Sequence, residues 1–155
     1  MVISESVREQ IQVELSKFPQ KRGALIPALH LIQHEYGSVS EEIARELAEM
    51  LEILPIQVLE VVSFYNMFHT EPRGRHEVCV CTNLPCSLRG GRTLMRQIES
   101  HLGIHEGETT PDGRVTLVRE ECLGACAYAP MMRVDDRYCE DLDTESAKAV
   151  LDSLE

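Results

Sequence analysis

Six cysteines, all of them beyond residue 78, divide this chain of 155 residues into a thiol-free first half and a thiol-rich second half. Four of them fall in two close pairs, Cys81-Thr82-Asn83-Leu84-Pro85-Cys86 and Cys122-Leu123-Gly124-Ala125-Cys126. A chain of this length buries a hydrophobic core without covalent staples, so disulfides are not required for stability. The N-terminus, Met1-Val2-Ile3-Ser4-Glu5, lacks the basic start and apolar run of a secretory signal, and no apolar stretch approaches the roughly 18 residues of a membrane span. A cytosolic location is therefore expected, where thiols stay reduced and clustered cysteines signal metal or redox chemistry.

Charge and periodicity narrow the class further. A formal net charge of −11 argues against a nucleic-acid partner, which would need clustered Lys and Arg. Aromatic residues are few and tryptophan is absent, which suits an all-α or α/β protein better than a β-sandwich. In the first half, Val7, Ile11 and Leu15, extended by Phe18, form a helical stripe that ends at Pro19 and Gly23. A second helix is expected over about 24–36, with Pro27 in its first turn and Gly37 as the left-handed residue that closes it. Ser38 or Ser40 caps a third, whose buried face is Ile43, Leu47, Met50 and Leu51. Pro55 opens a fourth, with Ile56, Leu59, Val62 and Met67 continuing the stripe. Together these predict a small helical bundle over residues 1–70.

The polar segment Glu71-Pro72-Arg73-Gly74-Arg75 breaks this pattern, and a second domain is expected over 75–155. There, 76–81 reads as a strand, 87–102 as a helix ended by Gly103, and 114–119 as a strand after the turn Pro111-Asp112-Gly113. Two short strands, 131–134 and 137–139, flank Asp135-Asp136, and a last helix from Asp143 or Thr144 buries Ala147, Val150, Leu151 and Leu154. The order β, α, β, β, β, α is that of a thioredoxin-like domain lacking its first strand and helix. The fold class is therefore α+β or α/β: a small N-terminal helical bundle, then a four-stranded mixed sheet flanked by helices.

Each cysteine pair lies in a loop after a predicted strand, so two loops at one sheet edge would gather four thiolates, the complete ligand set of a [2Fe-2S] cluster. Gly124, Gly90 and Gly91 would let the backbone approach closely, and Cys86 would sit where the 87–102 helix begins, at the positive end of its dipole. Structural zinc accepts the same four thiolates, but usually with two residues inside a pair, whereas these gaps are four and three. A thiol-disulfide oxidoreductase using Cys79-Val80-Cys81 is a third reading, with a spacing unusual for that class. Cys79 and Cys139 otherwise read as buried thiols that pack as small hydrophobes.

A resemblance bears on these alternatives. Phe64-Tyr65-Asn66-Met67-Phe68, Pro72-Arg73-Gly74, Val80-Cys81-Thr82-Asn83 and Cys86-Ser87-Leu88-Arg89-Gly90 resemble a family of thioredoxin-like [2Fe-2S] ferredoxins, the E subunits of NADH:quinone oxidoreductase, respiratory complex I. So do Leu102-Gly103-Ile104, Gly107-Glu108-Thr109-Thr110 and the run from Glu121 through Cys126 to Ala129-Pro130-Met131-Met132. The resemblance implies that Cys81, Cys86, Cys122 and Cys126 are the ligands of one [2Fe-2S] cluster, while Cys79 and Cys139 match no ligand position. It implies an electron carrier without a substrate site of its own, part of a translocating NADH:quinone oxidoreductase. Its partner would be a flavin- and NADH-binding subunit of the F type, which holds FMN and NAD(H), forms a heterodimer with it within a larger complex, and exchanges a single electron with its cluster. Related subunits occur in NAD-linked formate dehydrogenases and bidirectional hydrogenases. The implied location is cytoplasmic, peripheral to the inner face of the cell membrane, without direct insertion. The residues agree on one negative point, since no G-x-G-x-x-G and no phosphate loop follows a strand.

Several further signals read as structural. Arg89, Arg92 and Arg96 fall on one side of the predicted 87–102 helix, either to steer an acidic partner or as a solvated face. His30 and His34 have helical ligand spacing without a third ligand, and Gly103 separates His101 from His105. Met131 and Met132 read as strand core beside the cluster.

Overall fold

The stripe Val7, Ile11 and Leu15 is the buried side of α1 (Glu5–Ser16), which starts at Ser4, whose hydroxyl accepts the Val7 amide at 3.4 Å. A 3-10 turn, Lys21–Ala24, leads into α2 (Leu25–Tyr36), closed by Gly37 at φ 74°. Ser40, rather than Ser38, caps α3 (Glu41–Leu51) by accepting the Ile43 amide at 3.3 Å. Pro55 opens α4 (Pro55–Phe64), where the Gln57 side chain reaches back to accept the Leu54 amide at 3.0 Å. The computed structural model describes residues 2–155, which form two compact units, one closing at Pro72 and the other spanning Arg73–Glu155. In the first, Leu29, Ile32 and Leu47 are wholly buried, each contributing about 1.5–3 kcal/mol.

Three residues of the expected stripes lie outside this core. Phe18 is exposed because α1 ends two residues before it. Ile56 and Met67 are exposed because α4 turns Val58 and Val62 inward, and after its end at Phe64 the chain inserts Phe68 instead. Apolar residues line α4 on nearly every side, so its periodicity did not single out the buried one.

The second unit is a mixed sheet in the order β2-β1-β3-β4, built from β1 (His76–Cys81), β2 (Val115–Glu120), β3 (Met132–Val134) and β4 (Arg137–Cys139). Central β1 runs parallel to β2, with Val78 opposite Leu117 and Cys81 opposite Glu120, and antiparallel to β3, with Val80 opposite Met132. The β3–β4 hairpin turns at Asp135, at φ 51°, and Asp136. Val78, Val80, Val115, Leu117, Met132 and Val134 pack against Leu94, Met95 and Ile98 of α6 (Gly91–Leu102) and against Ala147 and Leu151 of α7 (Thr144–Asp152). Val150 and Leu154 are only partly buried against this core.

The helix expected over 87–102 is two helices. Gly90, at φ 95°, separates the short α5 (Leu84–Leu88) from α6. Cys86 therefore lies inside α5, and the long helix begins later than expected, at Gly91. Arg89 caps the end of α5 while Arg92 and Arg96 belong to α6, so the three arginines do not share one helix.

Candidate metal centre

Because β1 and β2 are parallel neighbours, their C-terminal ends leave the sheet at the same edge, and both cysteine pairs are found there. Cys81 is the last residue of β1 and donates its backbone N–H to the Met131 carbonyl at 3.2 Å. The Thr82 amide donates to the Glu120 carbonyl at 3.0 Å, which ties the first loop to the end of β2, two residues before Cys122. Asn83 caps α5 by accepting the Leu84 amide, and the Ser87 hydroxyl donates back to the Thr82 carbonyl at 2.7 Å. Arg92 Nε donates to that hydroxyl at 3.2 Å, which joins α6 to α5. These bonds hold Cys86 beneath Cys81.

The four thiols differ in environment. Cys81 and Cys86 are buried, at 2% and 1% exposure, in a small cluster with Ala129 and Met131, against which Leu123 and Ala125 pack. Cys122 and Cys126 are exposed. Burial pushes the Cys86 thiol up to about 11, the bonded Cys81 thiol and the nearby Cys126 add to this, and the Met131 N–H opposes it. Cys81 and Cys126 thus both lie close enough to act on Cys86. Cys122 stands in the same loop as Cys126, its sulfur accepting the Gly124 amide at 3.4 Å. Among the described residues, no group of three or more His, Cys, Asp or Glu side chains is disposed to hold a single metal ion.

Chemically, desolvation and the neighbouring thiol make Cys86 hold its proton tightly, so a soft metal must displace that proton, because thiolates are the metal-binding form. The donor set is sulfur alone and comes in two pairs, which fits a two-iron core with two thiolates per iron. The backbone is close-packed behind the inner pair. A β-carbon placed on Gly91 would stand 2.9 Å from the Cys86 carbonyl oxygen and 3.0 Å from that of Cys81.

Cys79 is fully buried, but it does not pack as a plain hydrophobe. Its thiol donates to Glu77 Oε1 at 3.3 Å, and Arg133 Nη2 donates to its sulfur at 3.0 Å and to Glu77 Oε1 at 3.0 Å. Burial and the Glu77 carboxylate push this thiol up to about 12, against the Arg133 guanidinium. Cys139 is half-buried at the edge of the sheet core. The period of two along β1 places Glu77 and Cys79 on one face, but the partner Arg133 follows only from the β1–β3 register, which no local pattern reveals. The sequence reading also missed Tyr138, whose hydroxyl donates to the Leu123 carbonyl at 2.7 Å. His30 packs on Phe68 with the rings tilted at 58°, His101 bonds Asp152 at 2.7 Å, and Met131 and Met132 are buried as expected.

A family model described as thioredoxin-like [2Fe-2S] ferredoxin matches residues 11–155. The chain belongs to that family. A relative from Rhizobium meliloti, the second of that organism's E subunits of NADH-quinone oxidoreductase by its name, is 42% identical over 149 residues, 96% of this chain and 89% of its own length. The E subunit of NADH-quinone oxidoreductase from Aquifex aeolicus is also 42% identical, over 86% of this chain and 84% of its own. The solved structure of an NAD+-reducing [NiFe]-hydrogenase matches 83% of this chain with a TM-score of 0.73 at 23% identity, which shows the shared fold, and this chain spans only 21% of that one. The family resemblance and the thioredoxin-like fold expected from the sequence are both borne out. The cofactor of the family is a [2Fe-2S] cluster, and its role is electron transfer.

Proposed function

We infer that this chain is the electron-transfer subunit of an NADH:quinone oxidoreductase and holds one [2Fe-2S] cluster through Cys81, Cys86, Cys122 and Cys126. When bound, the cluster takes up and gives back one electron at a time. The observation that carries this reading is the parallel pairing of β1 and β2, which delivers both cysteine pairs to one sheet edge. Cys81 and Cys86 form the inner, water-excluded side of the site, and Cys122 and Cys126 form the side open to a partner. That partner is a flavin-binding, NADH-oxidising subunit, because the hydride chemistry needs a flavin and the electron passes to this chain singly. The naming of the relatives as E subunits, matched over nearly their whole length, supports this assembly. No helix among the described residues is long and apolar enough to cross a membrane, which suits a peripheral position on the cytoplasmic face of the complex. We further infer that the two units act as separate domains, the bundle for assembly and the second unit for the cluster.

The test is spectroscopic. Full-length protein made under iron-replete conditions should be reddish-brown, carry iron and labile sulfide in equal amounts, and give the EPR signal of a one-electron-reduced [2Fe-2S] centre. Serine at position 81, 86, 122 or 126 should disturb that signal, whereas Cys79→Ser and Cys139→Ser should leave it in place. A colourless protein with stoichiometric zinc and no sulfide would overturn the reading. Co-purification with a flavoprotein that reduces the centre from NADH tests the partner.

A further inference from the structure

The two halves of the cysteine site are anchored unequally. Cys81 ends a strand paired on both sides, and Cys86 is fixed within α5 by the bonds around Ser87 and Asn83. The segment 121–127 has left the sheet, and its two cysteines are exposed. Among the described residues, its hydrogen bonds are local except at one point. Tyr138, on the edge strand β4, donates its hydroxyl to the Leu123 carbonyl at 2.7 Å across fifteen residues of chain. Leu123 also packs its side chain on the buried cluster of Cys81, Cys86, Ala129 and Met131. The residue beside Cys122 is therefore held twice, from within by apolar contact and from outside by the phenol. Just beyond the segment, the Asp141 amide donates to the Tyr128 carbonyl at 2.8 Å and the Leu142 amide to the Pro130 carbonyl at 2.9 Å, so the same edge of the domain also ties down the chain after Cys126.

We propose that Tyr138 is a positioning residue for the [2Fe-2S] site: its bond to Leu123 fixes the exposed Cys122 and Cys126 against the buried Cys81 and Cys86. This rests on the four-cysteine ligand set inferred above. Tyr138 bonds the loop at the Leu123 carbonyl rather than at a ligand sulfur, so it acts through the loop backbone. Loss of the hydroxyl frees the Leu123 carbonyl and loosens the loop, which opens the two outer sulfurs to water. Solvent access and hydrogen bonding around the sulfurs set the potential of such a centre, and water favours the more anionic reduced form.

The experiment compares full-length wild type, Tyr138→Phe and Tyr128→Phe. Tyr128 is a second exposed tyrosine beside Cys126, and no side-chain hydrogen bond joins it to the loop among the described residues. Three quantities are read: the rate of loss of visible absorbance to an iron chelator, the midpoint potential, and the melting temperature of the metal-free chain. Tyr138→Phe should lose its cluster about fivefold faster, the size of one net hydrogen bond. Its potential should move in the positive direction and its metal-free melting temperature should stay at the wild-type value, while Tyr128→Phe matches wild type throughout. An unaltered loss rate and potential in Tyr138→Phe would overturn the role. So would equal effects in Tyr128→Phe, or a fall in metal-free melting that accounts for the faster loss. A wild-type chain without [2Fe-2S] absorbance would overturn the ligand assignment itself, whereas a normal wild-type centre with an unaffected Tyr138→Phe would remove the tyrosine's role alone.

Discussion

Gly91 rests against the carbonyl oxygen of Cys86 with no room for a side chain: a β-carbon there would lie 2.9 Å from that oxygen. Alanine is normally the better residue near the start of a helix, by about 1 kcal/mol over glycine. Here the added methyl meets the backbone of two proposed ligand residues, which cannot yield cheaply. Gly91→Ala should therefore destabilise the second unit by about 1–3 kcal/mol and lower its cluster content. Chemical denaturation together with an iron assay would decide this, and a variant as stable as wild type would show that the contact is slack.

The Arg133 guanidinium binds Cys79, Glu77 and the Asp135 carbonyl. Arg133→Leu removes all three bonds from a half-buried place on the sheet and should cost about 1–3 kcal/mol. Cys79→Ala should cost less, since it deletes one weak donor, and it should leave the visible spectrum intact. Urea denaturation of both variants gives the comparison, and a neutral Arg133→Leu would mean that the network contributes nothing to stability.

Thiol reactivity should sort the cysteines. Cys79 is wholly buried and its thiol is pushed up to about 12, so almost none is thiolate near neutral pH. Cys122 and Cys126 are exposed. In folded, metal-free protein, iodoacetamide should modify Cys122 and Cys126 within minutes and leave Cys79 untouched until denaturant is added, as peptide mass mapping would show. Early labelling of Cys79 would contradict the packing of β1.

In the first unit, burial pushes the Glu46 carboxyl up, but the Val2 and Ile3 amides and the Arg8 guanidinium together hold it below its usual 4.5. A carboxyl whose folded value lies below its unfolded one adds stability above the unfolded value and loses it as the pH falls through the folded one. Glu46→Gln should therefore melt below wild type at neutral pH, and the two curves should converge on the acid side of 4.5. Parallel curves down to strong acid would place the stabilisation elsewhere.

Ser40 accepts the Ile43 amide at the start of α3. Ser40→Ala leaves that amide unpaired and should cost about 1 kcal/mol, while Ser38→Ala, at a position that does not cap, should not reproduce this loss of helix-start stability. Thermal melts of the two variants separate the candidates that spacing alone had left open.

What was legible in the sequence is what local physics decides. Gly37 and Gly103 had to close helices because each follows an apolar-periodic run, and both adopt left-handed backbone. The two cysteine loops could be assigned to one edge because strands joined through helices pair in parallel. Hidden from it were features set by tertiary register. The break at Gly90 in the 87–102 run did have a local signal, the Gly90-Gly91 pair, but what the break serves, the approach of Gly91 to the Cys86 backbone, is tertiary. Arg133 meets Cys79, and Tyr138 meets Leu123, only once β3 has docked beside β1 and β4 beside β3.

The parallel pairing of β1 with β2 also orders events in time. His76 finds its partner only when Val115 has been made, and contacts so distant along the chain form late. A polypeptide emerging from the ribosome thus presents Cys81 and Cys86 well before Cys122 and Cys126 exist beside them. Only when β2 and the loop after it have been made can the half-set of thiols meet the second pair of the proposed cluster site, and a chain stalled before then exposes two thiols without their partners.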